Sequence, residues 1–246
     1  MRMISQRNSN YTDEENPYWV SFSDIMAALL VIFILAAIAL ILELTQKKAE
    51  WDQSIQEIAK AESTRREILR EIEEELKRKN IPVELSDNDT VLRIPEDALT
   101  FKSGSFDVPS DDYHKNIVIQ IGKTLYSAIT KESRWKYLDT IFIEGHTDKR
   151  RFYNRRLKGN WGLSTFRAIS VWNYWDKNLP KKEKLSSLIN HDNKPLFSVS
   201  GYAETRPTTL EQLTVDQYKK NRRIDIRFTV RRPSLEEYQA IEQQLN

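Results

Sequence analysis

The sequence predicts a two-layer α/β sandwich of the α+β class, with helices on one face of a mixed sheet, preceded by one transmembrane helix and a helical, coiled-coil-like connector. Three observations support this fold class. An uninterrupted apolar run lies near the N-terminus, a highly charged run without Gly or Pro follows it, and short strand patterns then alternate with helical ones. The 246 residues leave room for one globular domain in addition to the anchor and the connector.

The apolar run covers residues 18–42, YWVSFSDIMAALLVIFILAAIALIL, and Asp24 is its one charged side chain. At about 1.5 Å of rise per residue the run spans roughly 37 Å, enough to cross a hydrocarbon core of about 30 Å with some tilt. A signal peptide has a shorter apolar core and a small-residue cleavage site. We therefore predict a transmembrane helix that remains as an anchor.

Asp24 needs an explanation, because a carboxylate inside a bilayer costs about 2.5 to 3.5 kcal/mol on insertion scales. In one interpretation it lies near enough to the helix start, beside Ser21 and Ser23, to be wetted by headgroups or to cap a local turn. In the other it faces a protein partner and carries an ion, because loss of water favours the neutral form of a carboxyl group. A lone helix provides only one wall of an ion path, so the second interpretation requires partner helices.

The residues around the apolar run and the overall composition exclude several classes of function. Residues 1–17 are polar and of mixed charge, which predicts a short disordered tail. Basic residues lie on both sides of the run, so charge bias does not decide its orientation. A formal net charge of +2 does not indicate nucleic-acid binding. The absence of cysteine excludes disulfides and zinc–thiolate sites, the three histidines are too scattered to predict a metal site, and no cofactor is expected.

The charged run that follows, residues 43–82, predicts a helical dimerisation and linker segment. Alternate steps of four and three residues define an a/d seam of eight positions: Trp51, Ile55, Ile58, Glu62, Arg65, Leu69, Ile72 and Leu76. Six of the eight are apolar. This seam predicts a parallel homodimer, which would place two Asp24 carboxylates beside one axis. Because Glu62 and Arg65 interrupt the seam, an amphipathic helix folded onto its own domain is the alternative.

Residues 83–246 are predicted to form the globular domain, with a core at about 90–232. Ile81-Pro82 ends the connector, and a polar group at residues 86–89 predicts a turn. The predicted strands are Thr90–Ile94, Thr140–Glu144, Phe197–Gly201 and Ile224–Val230, and the predicted helices are Asp111–Ser133 and Leu163–Lys177.

Five stretches of this domain resemble the peptidoglycan-binding domain shared by outer-membrane protein A and the flagellar stator subunit MotB. In chain order they are Phe101–Ser105, Ile143–Asp148, Asn160–Ala168, Gly201–Pro207 and Asn221–Asp225. Each stretch alone is a weak signal, but together they are specific and cover roughly residues 90–232. The resemblance implies an OmpA-like fold.

The resemblance also implies a pocket for the diaminopimelate of the cell-wall stem peptide. Asp148 matches the aspartate that takes the amine of this ligand, and Arg167 matches the arginine that takes its carboxylate. Guanidinium and carboxylate suit each other because both are planar and bidentate. Without the motifs, Asp148 would be read as a turn cap and Arg167 as a surface ion-pair partner. The accessory pocket positions implied by the resemblance are Thr147, Asn160, Leu163 and Arg222.

The order of anchor, connector and wall-binding domain resembles stator B subunits, and the string Tyr18–Asp24 is most similar to the ZorB family, the MotB-like subunits of the Zorya anti-phage system. This resemblance implies a homodimer that crosses a ring of polytopic MotA-like, ZorA-type subunits. Asp24 would carry the transported ion, H⁺ or Na⁺. The implied location is the bacterial inner membrane, with the N-terminus cytoplasmic and the domain periplasmic.

Alternative functions are a flagellar stator subunit and a passive tether between membrane and wall. An enzyme is not expected, because no nucleophile, base and orienting group occur together, and no direct nucleic-acid partner is expected. The basic loop at residues 149–159 is interpreted as a solvated run, with contact to anionic wall polymer as the alternative.

Overall fold

The computed structural model describes residues 17–154 and 158–232. Most of the predicted N-terminal tail, residues 155–157 of the basic loop and residues 233–246 of the predicted domain lie outside the described residues. The chain divides into two units, residues 1–53 and 54–246, and each is described by itself.

The described part of the first unit is helical and belongs to α1 (Pro17–Arg78). The predicted apolar run lies on this helix, and its large side chains are exposed; Phe33, for example, is 75% exposed. Among the described residues α1 is the one helix that is long and apolar enough to cross a membrane. Asp24 lies within this apolar surface and is itself exposed.

The second unit is built on a five-stranded mixed sheet. Its strands are β1 (Glu84–Ser86), β2 (Val91–Pro95), β3 (Leu138–His146), β4 (Phe197–Gly201) and β5 (Arg223–Val230). Their order is β1-β2-β5-β3-β4; β3 and β4 are parallel, and every other pair is antiparallel. Besides the end of α1, the described α-helices of this unit are α2 (Asp112–Thr130), α3 (Asn160–Asn178) and α4 (Val215–Asn221). The predicted fold class is confirmed.

The core lies between one face of the sheet and the helices. Alternate residues of β5 point to this face, because side chains alternate along a strand, and Ile224, Ile226 and Phe228 are buried there. Helix α2 contributes an apolar stripe at helical spacing, and α3 contributes Trp175, whose indole nitrogen donates to the carbonyl of Val118 at 2.6 Å. The large side chains are therefore packed with the polar atom of Trp175 satisfied.

The end of α1 packs into this same core, which corrects part of the predicted dimer seam. Leu69, Ile72 and Leu76 are completely buried among the core residues of their own domain, and Arg65 is buried as well. This half of the seam therefore covers the sheet and helices of its own domain and is not available to a second chain. It matches the alternative prediction of an amphipathic helix folded onto its own domain. Trp51 and the two isoleucines that follow it in the seam remain exposed.

The short elements were not predicted: β1, α4 and three 3-10 helices, Lys131–Tyr137, Lys181–Glu183 and Leu185–Ser187. Strand β1 has three residues and α4 has seven, too few for a periodic pattern to develop. The turn between β1 and β2 was predicted, and Asp87, Asn88 and Asp89 adopt positive φ angles there. Their short polar side chains tolerate this left-handed conformation better than most residues do.

Helix α3 lies directly on the ends of β3 and β4 because two glycines face it. Gly145 and Gly201 are partners in the parallel register of these strands. A Cβ on Gly145 would lie 1.9 Å from the carbonyl oxygen of Ser164, and one on Gly201 would lie 2.2 Å from the hydroxyl oxygen of Thr165. The Ser164 hydroxyl also accepts a hydrogen bond from the backbone of Ala203 at 3.0 Å. The first turns of α3 are thereby held beside the residues that follow β3.

We expect Gly145→Ala to lower the free energy of unfolding by about 3 kcal/mol or more, because the added methyl group meets helix backbone that cannot rotate away. Denaturant unfolding of the full chain in mild detergent, followed by tryptophan fluorescence, measures the change. Ile143→Val on the same strand is the control and should cost about 1 kcal/mol. A Gly145→Ala protein as stable as this control would contradict the tight contact.

Candidate functional site

The six residues predicted to bind the ligand line one pocket of about 370 Å³. They come from three places: the segment after β3, the first two turns of α3, and the junction between α4 and β5. In chain order they are Thr147, Asp148, Asn160, Leu163, Arg167 and Arg222. The fold therefore brings together residues that are up to 75 positions apart in the sequence.

Asp148 is the buried carboxylate of the pocket, with 4% of its surface exposed. Its Oδ1 accepts hydrogen bonds from the backbone nitrogen and Nε of Arg150, both at 3.0 Å. Its Oδ2 accepts from Nη2 of Arg150 and Nη1 of Arg222, both at 2.6 Å. Burial opposes ionisation of Asp148, but the hydrogen bonds from Arg150 and Arg222 outweigh it and hold the pKa of the carboxyl below its usual value.

Arg222 connects Asp148 to a second carboxylate that the sequence analysis missed. Its Nε donates to Oε1 of Glu96 at 2.6 Å, and its Nη2 donates to Oε2 of the same side chain. Glu96 directly follows β2 and is 9% exposed. It lies in a turn outside all five motifs, so no signal in the sequence pointed to it.

Arg167 is the buried cation on the helix side of the pocket. Its Nε donates to the carbonyl of Ser105 at 3.0 Å, and its guanidinium carbon lies 5.0 Å from the centre of the Phe101 ring. Burial and the neighbouring Arg222 lower the pKa of Arg167 to about 10, so it is charged at neutral pH. Within residues 17–154 and 158–232 no carboxylate forms an ion pair with it. The motif beginning at Phe101 thus holds Arg167 in place and leaves its charge unpaired.

Asn160 organises the loop beside the pocket. It is the first residue of α3, and its Oδ1 accepts from the backbone of Phe152 at 3.1 Å. Its Nδ2 donates to the carbonyl of Arg150 at 3.1 Å and to Oε2 of Glu204 at 3.0 Å. Asn154, the other asparagine of this region, is exposed. The amide of Asn160 is therefore used to hold the loop.

Arg150 is exposed, in agreement with the interpretation of residues 149–159 as a solvated run, but it also contacts pocket residues. Besides its bonds to Asp148, its guanidinium lies 4.6 Å from the centre of the Tyr218 ring. The backbone of Lys149 is held by the side chain of Gln212, which accepts its N–H at 2.8 Å. The start of the basic loop is therefore a wall of the pocket, with a fixed backbone.

A second group of buried polar side chains lies on the sheet face opposite the core. The register of β3 and β5 places Glu144 opposite Asp225, and His146 lies two residues further along β3. These three residues have the side-chain chemistry of metal ligands, and no motif in the sequence groups them. Both ring nitrogens of His146 lack hydrogen-bond partners among the described residues. Burial and nearby arginines lower the pKa of His146 to about 2, so its ring is neutral.

Three arginines already pair with the two carboxylates of this group. Arg227 donates to Glu144 at 2.9 Å, and Arg93 and Arg223 donate to Asp225 at 3.2 and 2.9 Å. A divalent cation would add two positive charges beside three guanidinium groups, and the electrostatic repulsion would oppose its binding. The group therefore serves to join strands β2, β3 and β5 by ion pairs.

Comparison with known proteins gives one family match and a full-length relative. Residues 100–222 match the OmpA family. An uncharacterized Bacillus subtilis (strain 168) protein, YtxE, is 25% identical over 249 residues, covering 92% of this chain and 93% of that protein.

The fold is similar to several solved structures. The putative MotB-like protein from Desulfovibrio vulgaris has 18% identity and a TM-score of 0.49, covering 73% of this chain and 99% of that one. The periplasmic domain of Helicobacter pylori MotB has 19% identity and a TM-score of 0.49, covering 70% and 94%. The cell wall anchor of the T6SS from Pseudomonas aeruginosa has 22% identity and a TM-score of 0.45, covering 67% and 97%.

The OmpA match spans half of the chain and includes all six predicted pocket residues. It also includes the motif at Phe101 that holds Arg167 and the segment after β3 that carries Asp148. The predicted OmpA-like resemblance is confirmed, and the chain belongs to the OmpA family.

Proposed function

We propose that this chain is a single-pass inner-membrane stator subunit that is anchored to peptidoglycan and works in an ion-driven rotary complex of anti-phage defence. One observation carries the wall-binding part: a buried carboxylate, Asp148, lines the same pocket as the buried guanidinium of Arg167, which forms no ion pair with any carboxylate in the described part of the chain. This pair matches a ligand that has both an amine and a carboxylate.

Diaminopimelate in the cell-wall stem peptide is such a ligand. Asp148 takes its amine, Arg167 takes its carboxylate, and Leu163 and Thr147 provide the wall between them. The pocket lining has four arginines against two carboxylates, Glu96 and Asp148, and this excess of positive charge favours a ligand with more than one carboxylate. A volume of about 370 Å³ is sufficient for one amino-acid side chain with its charged end.

The membrane part of the proposal depends on Asp24 in α1. The exposed apolar surface around it is suited to lipid and to partner helices, and its carboxylate is costly in lipid unless a partner or an ion compensates. We infer that two copies of this chain cross a ring of MotA-like, ZorA-type polytopic subunits and that Asp24 binds and releases H⁺ or Na⁺. The N-terminus is then cytoplasmic and the OmpA-family domain periplasmic.

Wall binding and ion transport support each other mechanically. Torque between a ring and an axis does no useful work unless one of them is held, and attachment to peptidoglycan holds the axis. The string Tyr18–Asp24 supports a defence system rather than a flagellar motor. Deletion separates the two, because loss of a flagellar subunit stops swimming, whereas loss of a defence subunit raises the plating of phage.

We expect Asp148→Asn and Arg167→Gln each to weaken binding to purified peptidoglycan at least tenfold, because each removes one charge of a buried pair with the ligand. Sedimentation of the full chain with wall sacculi measures the bound fraction. Asp112→Asn, an exposed change on α2, should bind as the wild type does. Unchanged binding by a folded Asp148→Asn protein would contradict this site.

We expect Asp24→Asn to abolish phage protection and leave membrane insertion unchanged, since the amide keeps the shape of the side chain but carries no ion. Phage plating and membrane fractionation are the two measurements. Asp52→Asn makes the same change on the same helix outside the apolar run and should retain protection. Full protection by Asp24→Asn would rule out its ion-carrying role.

Co-purification tests the complex itself. The chain is expressed with its genomic neighbours and purified in mild detergent, and the mass and composition of the complex are measured. We expect two copies of the chain with an excess of a polytopic partner. Isolation of the chain without a partner would favour the passive tether between membrane and wall.

A further inference from the structure

We propose that Arg150 is a latch that occupies, within the same chain, the place on Asp148 that the amine of the ligand must take. Ligand binding is then an exchange of one cation for another, and Arg150 selects for ligands whose cation can replace a bidentate guanidinium. The inference rests on the proposed wall-binding function and concerns the same pocket.

The first step is that Asp148 has no free acceptor position. A carboxylate offers about four lone-pair sites. Oδ1 accepts two hydrogen bonds from Arg150, and Oδ2 accepts one from Arg150 and one from Arg222. An ammonium group that approaches Asp148 must therefore replace one of these donors.

The second step identifies the donor that leaves. The side chain of Arg222 is 17% exposed and is held by two further hydrogen bonds to Glu96. The side chain of Arg150 is 60% exposed, so its guanidinium can move into water while the buried pair of Arg222 and Glu96 stays intact. Arg150 is thus the cation that is released at the lower cost in solvation.

The third step is that only the side chain of Arg150 needs to move. Its carbonyl accepts from Asn160 at 3.1 Å, and the preceding backbone nitrogen, that of Lys149, donates to Gln212 at 2.8 Å. The hydrogen bond from the backbone N–H of Arg150 to Oδ1 of Asp148 therefore remains and continues to orient the carboxylate. The Tyr218 ring, 4.6 Å from the guanidinium, stabilises the position that Arg150 takes on Asp148.

The latch has a consequence for specificity. A primary ammonium has three donors and can take over the two positions that Nε and Nη2 of Arg150 occupy. A neutral, N-acetylated amine provides no charge in exchange, so Arg150 stays paired and the ligand is rejected. Arg150 is in this sense a specificity-determining residue.

Isothermal titration of the full chain in mild detergent with a soluble stem tripeptide that ends in diaminopimelate tests the latch. We expect Arg150→Gln to bind about three- to tenfold more tightly than the wild type, the scale of one partly exposed, bidentate arginine–carboxylate pair. Lys149→Gln removes one positive charge from the neighbouring, exposed position and should stay within about twofold of the wild type. Arg150→Lys keeps the positive charge but lacks the planar guanidinium with its two donors. Its affinity should lie between those of the wild type and Arg150→Gln.

The outcomes separate the latch from the proposed function. Tighter binding by Arg150→Gln than by Lys149→Gln supports the latch. Binding that Arg150→Gln weakens, or changes no more than Lys149→Gln does, overturns the latch but leaves the wall-binding function standing. Absence of binding by the wild type and by Arg150→Gln overturns both.

Discussion

The close packing of α3 on β3 and β4 is the constraint on which the site depends. Gly145 and Gly201 lie side by side in the sheet and have no Cβ, so the backbone of the helix can approach to a distance that no other residue permits. This approach brings Asn160 and Arg167 next to the segment that follows β3. Asp148 and Arg167 thus line the same pocket because a helix can touch a sheet at two glycines.

Ion pairs with arginine surround the buried carboxylates in two places, the sheet face opposite the core and the pocket. On the far sheet face arginines donate hydrogen bonds to Glu144 and Asp225, which are buried and opposite each other in the sheet. In the pocket arginine pairing lowers the pKa of Asp148, so the ion pairs of this residue stabilise the fold fully above its ordinary value of 3.8. That contribution is lost as the pH falls through the lower pKa of the folded state. Arg167 differs from the buried Arg223 because it lines the pocket and forms no ion pair with a carboxylate of the described residues.

Under the proposed function the two units have different roles, one in the membrane and one in binding the cell wall. The first presents one carboxylate on an apolar helix, which requires a partner or an ion at that position. The second holds a pocket lined by charged side chains in a folded domain, which the proposal assigns to a zwitterionic ligand with extra negative charge. The early part of the predicted dimer seam, from Trp51 to Ile58, stays exposed, whereas the later part is used for the core of the domain.

The sequence by itself determined the apolar span, the four longer strands and the two long helices, because periodicity is a local property of the chain. Its motifs, through the family resemblance, also indicated six residues that line one pocket. Only the tertiary structure decided that Leu69 and its seam neighbours pack onto their own domain, since an apolar stripe does not specify which surface covers it. It also decided that Glu96 and Arg150 enter the pocket. Ion pairs depend on distances between segments, and those distances exist only after the sheet has formed.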